Sequence, residues 1–251
     1  MIAPKDRKST IQLPGISPAV TKRIEQAFAD QRKAHGANKG KVELAVELMN
    51  VPWSEYLAFL HSLGDMHVRH YYAEGVLHVM SPLHQHDWIK GLVGRFIETL
   101  AYDQNIAIKS IGSTTITSER GERGFEPDEA YYFASEPKVR GKLDFEPDRD
   151  PPPDLVIEID VTNSSQGKLA LFAAMKIPEV WLHDGQELHF LQRHRNGYRD
   201  AKQSLAIPYL SPEDITRFLS RHGEMNETQL VKQFVAWARR RRRAHEKEQN
   251  S

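Results

Sequence analysis

Cysteine is absent from the 251 residues, which excludes disulfides, thiolate zinc sites and cysteine nucleophiles and suits a reducing compartment. A cytoplasmic protein is expected. Long apolar runs are missing as well. No stretch approaches the roughly 18 residues of a membrane helix, and Lys5, Asp6, Arg7 and Lys8 lead into no signal-peptide core. No membrane role is expected. A Gly-x-Ser-x-Gly nucleophile elbow and a phosphate-cradling glycine-rich loop are both lacking, which argues against a serine hydrolase and against nucleoside triphosphate use. The 12 histidines leave a histidine-only zinc site open, yet no His-x-x-x-His pair accompanies a Glu base. His84-Gln85-His86-Asp87 lacks the Asp and final His of a metallo-β-lactamase-like run and reads as the start of a helix.

Net charge is missing too, because 34 basic and 34 acidic residues cancel. Their distribution is uneven. Residues 1–41 hold nine Lys/Arg against three Asp/Glu, and residues 229–251 hold seven against two. An excess of about 11 acidic residues is left for the middle of the chain. Basic arms on an acidic core suit a carboxylate site that needs cations and flanking segments drawn to a polyanion.

Residues 1–41 read as a helical arm, with Ser17-Pro18 starting a helix whose apolar stripe is Val20, Ile24, Ala27 and Phe28. The Gly36 to Lys41 stretch closes it. Residues 42–225 read as one main domain and 226–251 as a basic C-terminal helix or tail. Within the domain Ser54 is expected to cap a short helix through Leu63. A hairpin follows, with strands over 67–72 and 76–80 turning at Ala73-Glu74-Gly75. Residues 88–101 carry apolar side chains at helical spacing. Strands are expected over 106–111, 124–133 and 154–161, then a helix from Lys168 to about Lys176, then two strands joined by Asp184-Gly185. The expected fold is α/β or α+β, with a mixed central sheet flanked by helices.

Alternation in the strand after Pro153 puts Leu155, Ile157, Ile159 and Val161 on one face and Asp154, Val156, Glu158 and Asp160 on the other. Buried acids cost several kcal/mol unless compensated, and a cation is the usual remedy. A second acidic run, Glu126-Pro127-Asp128-Glu129, precedes the strand-forming Ala130 to Phe133. Carboxylates from two strands could hold Mg²⁺, or Mn²⁺, as hard oxygen ligands. Such an ion polarises a phosphodiester and activates water. Lys168, ten residues after Glu158, could bring its ammonium back toward them. Taken singly, Asp128 and Asp154 also read as turn residues and Lys168 as a solvated helix residue.

The segments Glu126 to Phe133, Pro153 to Thr162, Ser164-Ser165, Lys168, and Ile177-Pro178-Glu179-Val180-Trp181 followed by Asp184-Gly185 resemble the Uma-two family. That family comprises restriction-type endonucleases within the PD-(D/E)XK superfamily. The resemblance spans about residues 53–192 and implies a restriction-endonuclease-like core with a Mg²⁺ site. It gives catalytic roles to Asp128, Glu158 and Lys168, and metal ligation to Asp128 and Glu158; outside the family pattern, Asp160 is a candidate further metal or water ligand. Asp160 stands where the superfamily pattern has lysine, so Lys168 takes the lysine role from a displaced position. Glu98, on the long helix, is a candidate additional carboxylate.

The function these readings imply is divalent-metal-dependent endonucleolytic cleavage of DNA by a homodimer, with RNA as an open alternative substrate. The runner-up is a catalytically inactive protein of the nuclease fold that binds nucleic acid or serves assembly. Arg239, Arg240, Arg241, Arg242 and Arg243 follow an apolar helix stripe and are candidate phosphate contacts, blind to base sequence.

Overall fold

The computed structural model describes residues 23–24, 26–27, 29–30, 44–63, 68–81, 84–160, 166–195 and 197–250. The described part of the N-terminal arm is helical, and Ile24 and Ala27 pack against the core around Val46 and Tyr56. The expected helix start at Ser17 and the boundary at Gly36 lie outside the described residues.

In chain order the elements begin β1 (Leu44–Leu48), α1 (Trp53–Ser62), β2 (Arg69–Ala73), β3 (Val76–Ser81), α2 (His84–Gln104), β4 (Lys109–Ser110), β5 (Ile116–Ser118) and β6 (Arg123–Phe125). Then come β7 (Glu129–Tyr132), α3 (Glu136–Val139), β8 (Leu155–Ile159), α4 (Gln166–Ala174), β9 (Glu179–His183), β10 (Leu188–His194), β11 (Gly197–Asp200), α5 (Pro212–Leu219) and α6 (Glu227–Gln249). The fold is α+β. Two sheets form rather than the single one expected. A five-stranded antiparallel sheet has the order β1-β3-β2-β6-β5, and a six-stranded mixed sheet has the order β11-β10-β9-β8-β7-β4.

The expected strand over 124–133 is split between these sheets. Pro127 has no N–H to give to a ladder, and the chain leaves β6 at Phe125 and joins the other sheet at Glu129. Asp128 sits at that break. The hairpin forms as expected, with Glu74 (φ 51°) and Gly75 (φ 78°) both in the left-handed region that a two-residue hairpin turn requires. Ser54 does not cap α1. Pro52 occupies the N-cap in extended conformation, and Trp53 is already helical. Helix α5 was not expected, although Ser211 and Asp214 form a capping box that the sequence displays.

Among the described residues the mixed sheet has one parallel pair, β8 with β9. A parallel pair needs a crossover, and α4 supplies it. Both faces of β8 are therefore buried. Leu155, Ile157 and Ile159 pack with Phe96, Ile97 and Leu100 of α2, while Val156 packs with Leu171 and Phe172 of α4. Helix α6 runs parallel to α2 and shares its core. Trp88 Nε1 donates to Glu227 Oε1 at 2.8 Å at one end, Phe96 stacks on Phe234 at 4.4 Å midway, and Arg239 pairs with Asp103 at the other end.

Candidate active site

The register of the mixed sheet brings the two acidic runs together. Antiparallel β7 and β8 pair Glu129 with Ile157, and the same ladder continued by one residue sets Asp128 opposite Glu158. Glu158 shares the α4 side of β8 with Val156, which is why a lysine in the first turn of α4 can reach it. Lys168 Nζ donates to Glu158 Oε2 at 2.7 Å. All three side chains are buried, Asp128 and Glu158 to 2% exposure.

Their surroundings differ. Asp128 Oδ2 accepts from the Ile159 N–H at 2.8 Å and lies 3.0 Å from His86 Nε2. Its Oδ1 is 3.3 Å from Arg69 Nε. Burial pushes the Asp128 carboxyl upward, but the His86 bond and charge, together with Lys168 and the Ile159 N–H, outweigh it and hold the group below its usual range. Glu158 goes the other way. Burial raises it and the Asp128 charge adds to the rise, so that even with Lys168 opposing, it stands at about 7. Among the described residues, Glu158 Oε1 is buried without a hydrogen-bond partner. Lys168 loses solvation, yet the charges of Glu158 and Asp128 raise its pKa and keep it protonated.

Asp128, Glu158 and Lys168 are thus gathered, while Asp154 and Glu98 are engaged elsewhere. Asp154 Oδ2 accepts from the Phe133 and Ser135 N–H groups at 2.8 Å each, which makes it the anchor of the turn into α3. Glu98 is exposed, and its Oε1 accepts from Tyr131 Oη at 3.2 Å. Asp160 is half-buried and acts electrostatically on Lys168. Among the described residues no three His, Asp or Glu side chains form a ready-made metal-ligand group. Glu179, within the Ile177 to Trp181 motif, is a structural acid that accepts from Trp181 Nε1, Ser204 Oγ and the Leu205 and Ala206 N–H groups.

Two neighbours escaped sequence reasoning. His86 lies in the first turn of α2, where it reads as part of a helix start, and Arg69 comes from the other sheet, where it also pairs with Glu126. No local spacing links either to Asp128. Replacing His86 by Ala is expected to remove a donor from Asp128, raise that carboxyl and move the acidic limb of a pH–activity profile to higher pH. His86→Gln, which retains a donor near the Nε2 position, should recover part of the shift. Superimposable profiles for wild type and His86→Ala would show that the contact does not tune Asp128.

The arginine run is split by the helix that carries it. Arg239 and Arg242 turn toward α2, Arg239 pairing with Asp103 and Arg242 donating to the Gln104 carbonyl at 3.1 Å. Arg240, Arg241 and Arg243 are exposed.

The model of the Uma2 family, whose description reads "Putative restriction endonuclease", matches residues 53–221. The chain belongs to the Uma2 family. The matched span contains Arg69, His86, Asp128, Glu158 and Lys168, and it ends before α6. No curated protein matches the chain. Among solved structures it is similar to the crystal structure of "a putative nuclease belonging to DUF820 from Anabaena variabilis ATCC 29413", with 20% identity over 59% of this chain and 89% of that one, at a TM-score of 0.42. No helix of the described Uma2 chain is long and apolar enough to cross a membrane.

Proposed function

We propose that this Uma2 protein is an endonuclease that hydrolyses phosphodiester bonds of DNA with Mg²⁺ or Mn²⁺ held by Asp128 and Glu158. The observation that carries the reading is Glu158 Oε1, which has no hydrogen-bond partner among the described residues and is buried beside a second carboxylate. Two buried acids side by side repel, and an oxygen with no donor costs about 1–3 kcal/mol. A hard divalent cation relieves both, and the oxygen donors suit Mg²⁺ or Mn²⁺. When bound, the ion supplies Lewis-acid polarisation of the phosphodiester and a more acidic water.

The chain's own residues prepare that site. The Ile159 N–H and His86 hold the Asp128 carboxylate in one orientation, as outer-shell partners of metal ligands do. Lys168 is charged and within hydrogen-bond distance of Glu158, placed to steady negative charge developing on phosphoryl oxygens. A homodimer would present two such sites to the two strands of a duplex, and the absence of cysteine suits a cytoplasmic location. The test is incubation of plasmid DNA, single-stranded DNA and RNA with purified protein, with Mg²⁺, with Mn²⁺ and with EDTA. Cation-dependent cleavage of DNA is expected. Cleavage of RNA alone would move the substrate assignment, and nucleic-acid binding without cleavage of any substrate would favour the inactive nuclease-fold protein.

The high Glu158 value gives a pH prediction with a definite sign. Between its ordinary value of 4.5 and about 7, the folded metal-free protein keeps a proton that the unfolded chain has lost. Its stability should therefore fall as pH rises through that window. Melting temperatures should decline across the window from that ordinary value to about 7 more steeply for wild type than for Glu158→Gln. At the alkaline end of the window added Mg²⁺ should restore the loss, because the cation replaces the proton. Parallel curves for the two proteins would contradict the assignment.

A further inference from the structure

Helices α5 and α6 enclose a groove of about 370 Å³ lined by Arg217, Arg221, Gln233, Trp237 and Arg240. Gln233, Ala236, Trp237 and Arg240 fall at helical spacing on one face of α6, so the groove follows the helix axis. Arg217 lies over the Trp237 ring at 5.1 Å, which fixes its guanidinium at the groove wall. Asp214 and Glu224 pair with Arg217 and Arg221 at the rim. Arg240 has no ion pair or hydrogen bond among the described residues. The next turn of α6 extends the positive surface with Arg241 and Arg243. The larger groove on the other side of α5 is lined by Glu187, Asp200 and Glu213 beside Lys202 and Arg217 and would repel an anion.

We propose that the α5–α6 groove is a docking surface for the phosphate backbone of duplex DNA, separate from the Asp128–Glu158 centre. This rests on the nuclease reading for the identity of the polyanion. Charge complementarity carries it, since acidic residues predominate in the chain between its two basic arms, and a polyanion needs a cationic hold elsewhere. Arg240 stands 13 residues along α6 from Glu227, the residue that meets the His86 end of α2, or about 20 Å at 1.5 Å per residue, which keeps the groove away from the Asp128–Glu158 centre.

The test measures binding of a duplex of about 30 base pairs in EDTA by fluorescence anisotropy across a NaCl series. Arg221→Gln/Arg240→Gln, a change confined to two surface residues, should lower affinity for every sequence alike. It should also flatten the slope of log K against log salt by about 0.9 for each phosphate that the variant no longer neutralises. Arg240→Lys, which keeps the charge, should retain the wild-type slope, and Arg149→Gln, an exposed arginine elsewhere, should leave it unchanged. An unchanged slope in the double variant would overturn the proposal. So would an equal loss in Arg149→Gln, or arginine-dependent binding to phosphatidylserine vesicles with no change in the DNA slope. Because no cleavage is read, these outcomes stand apart from failure of the catalytic site, which shows as absent cleavage with intact binding.

Discussion

Asp128→Asn and Glu158→Gln are each expected to reduce Mg²⁺-dependent cleavage by more than about 100-fold while leaving a folded protein. The magnitude follows from the loss of outer-shell partners of metal ligands, which costs about 10–100-fold; removal of a ligand charge should cost more. The choice of amides over alanine comes from the burial. Asp128→Ala would strand the Ile159 N–H and His86 Nε2, at about 1–3 kcal/mol for each buried group. Glu158→Ala would leave Lys168 buried without the carboxylate 2.7 Å away, a loss of about 3–5 kcal/mol by analogy with broken buried pairs. Either alanine variant would confuse unfolding with impaired chemistry. Asn and Gln keep an acceptor oxygen for those donors and remove only the charge that a cation needs. Cleavage rates, Mn²⁺ titration and thermal melts on the same preparations separate the two effects. Wild-type cleavage by either amide variant would remove the proposed metal site.

Lys168→Met should slow cleavage by about 10²- to 10³-fold, the scale of losing one preorganised group that stabilises transition-state charge, and should leave metal binding in place. Two influences on the metal oppose each other. Loss of Lys168 removes a positive charge from beside the cation, which favours binding. It also removes the main influence holding Glu158 down, so that a proton must be displaced at neutral pH. Titration with Mn²⁺ at neutral and at mildly alkaline pH resolves them: the variant should bind Mn²⁺ better at the higher pH. Turnover equal to wild type would assign Lys168 to holding Glu158 in the folded protein and to no part of the reaction.

Much of the site is legible in the sequence because its members are encoded locally. Alternation marks Glu158 as an acid facing a packed side of its strand, and the interval to Lys168 is that of a strand, a loop and the first turn of a crossover helix. The Glu126 to Tyr132 run displays an acid at a proline-marked strand boundary. Asp154 shares the parity of Glu158, and alternation groups the two. Its position at the other end of β8, however, lets the Phe133 and Ser135 N–H groups claim it. Parity assigns a face, and it does not say what waits at each end of that face.

Legible from the sequence alone are the mixed helix-and-strand content, the hairpin at Glu74-Gly75, the amphipathic α2 and the candidacy of two acids and one lysine. Each depends on periodicity or turn chemistry in short stretches of chain. Packing in three dimensions is what makes the chain cross from one sheet to the other at Pro127, closes Arg69 and His86 around Asp128, and turns Glu98 to Tyr131 instead. It alone separated Arg239 and Arg242, bound to the end of α2, from the exposed Arg240, Arg241 and Arg243. These side chains meet partners 33 to 138 positions away; groups so distant in the chain come together only when sheet register and helix packing have set their backbones, and no local pattern records that choice.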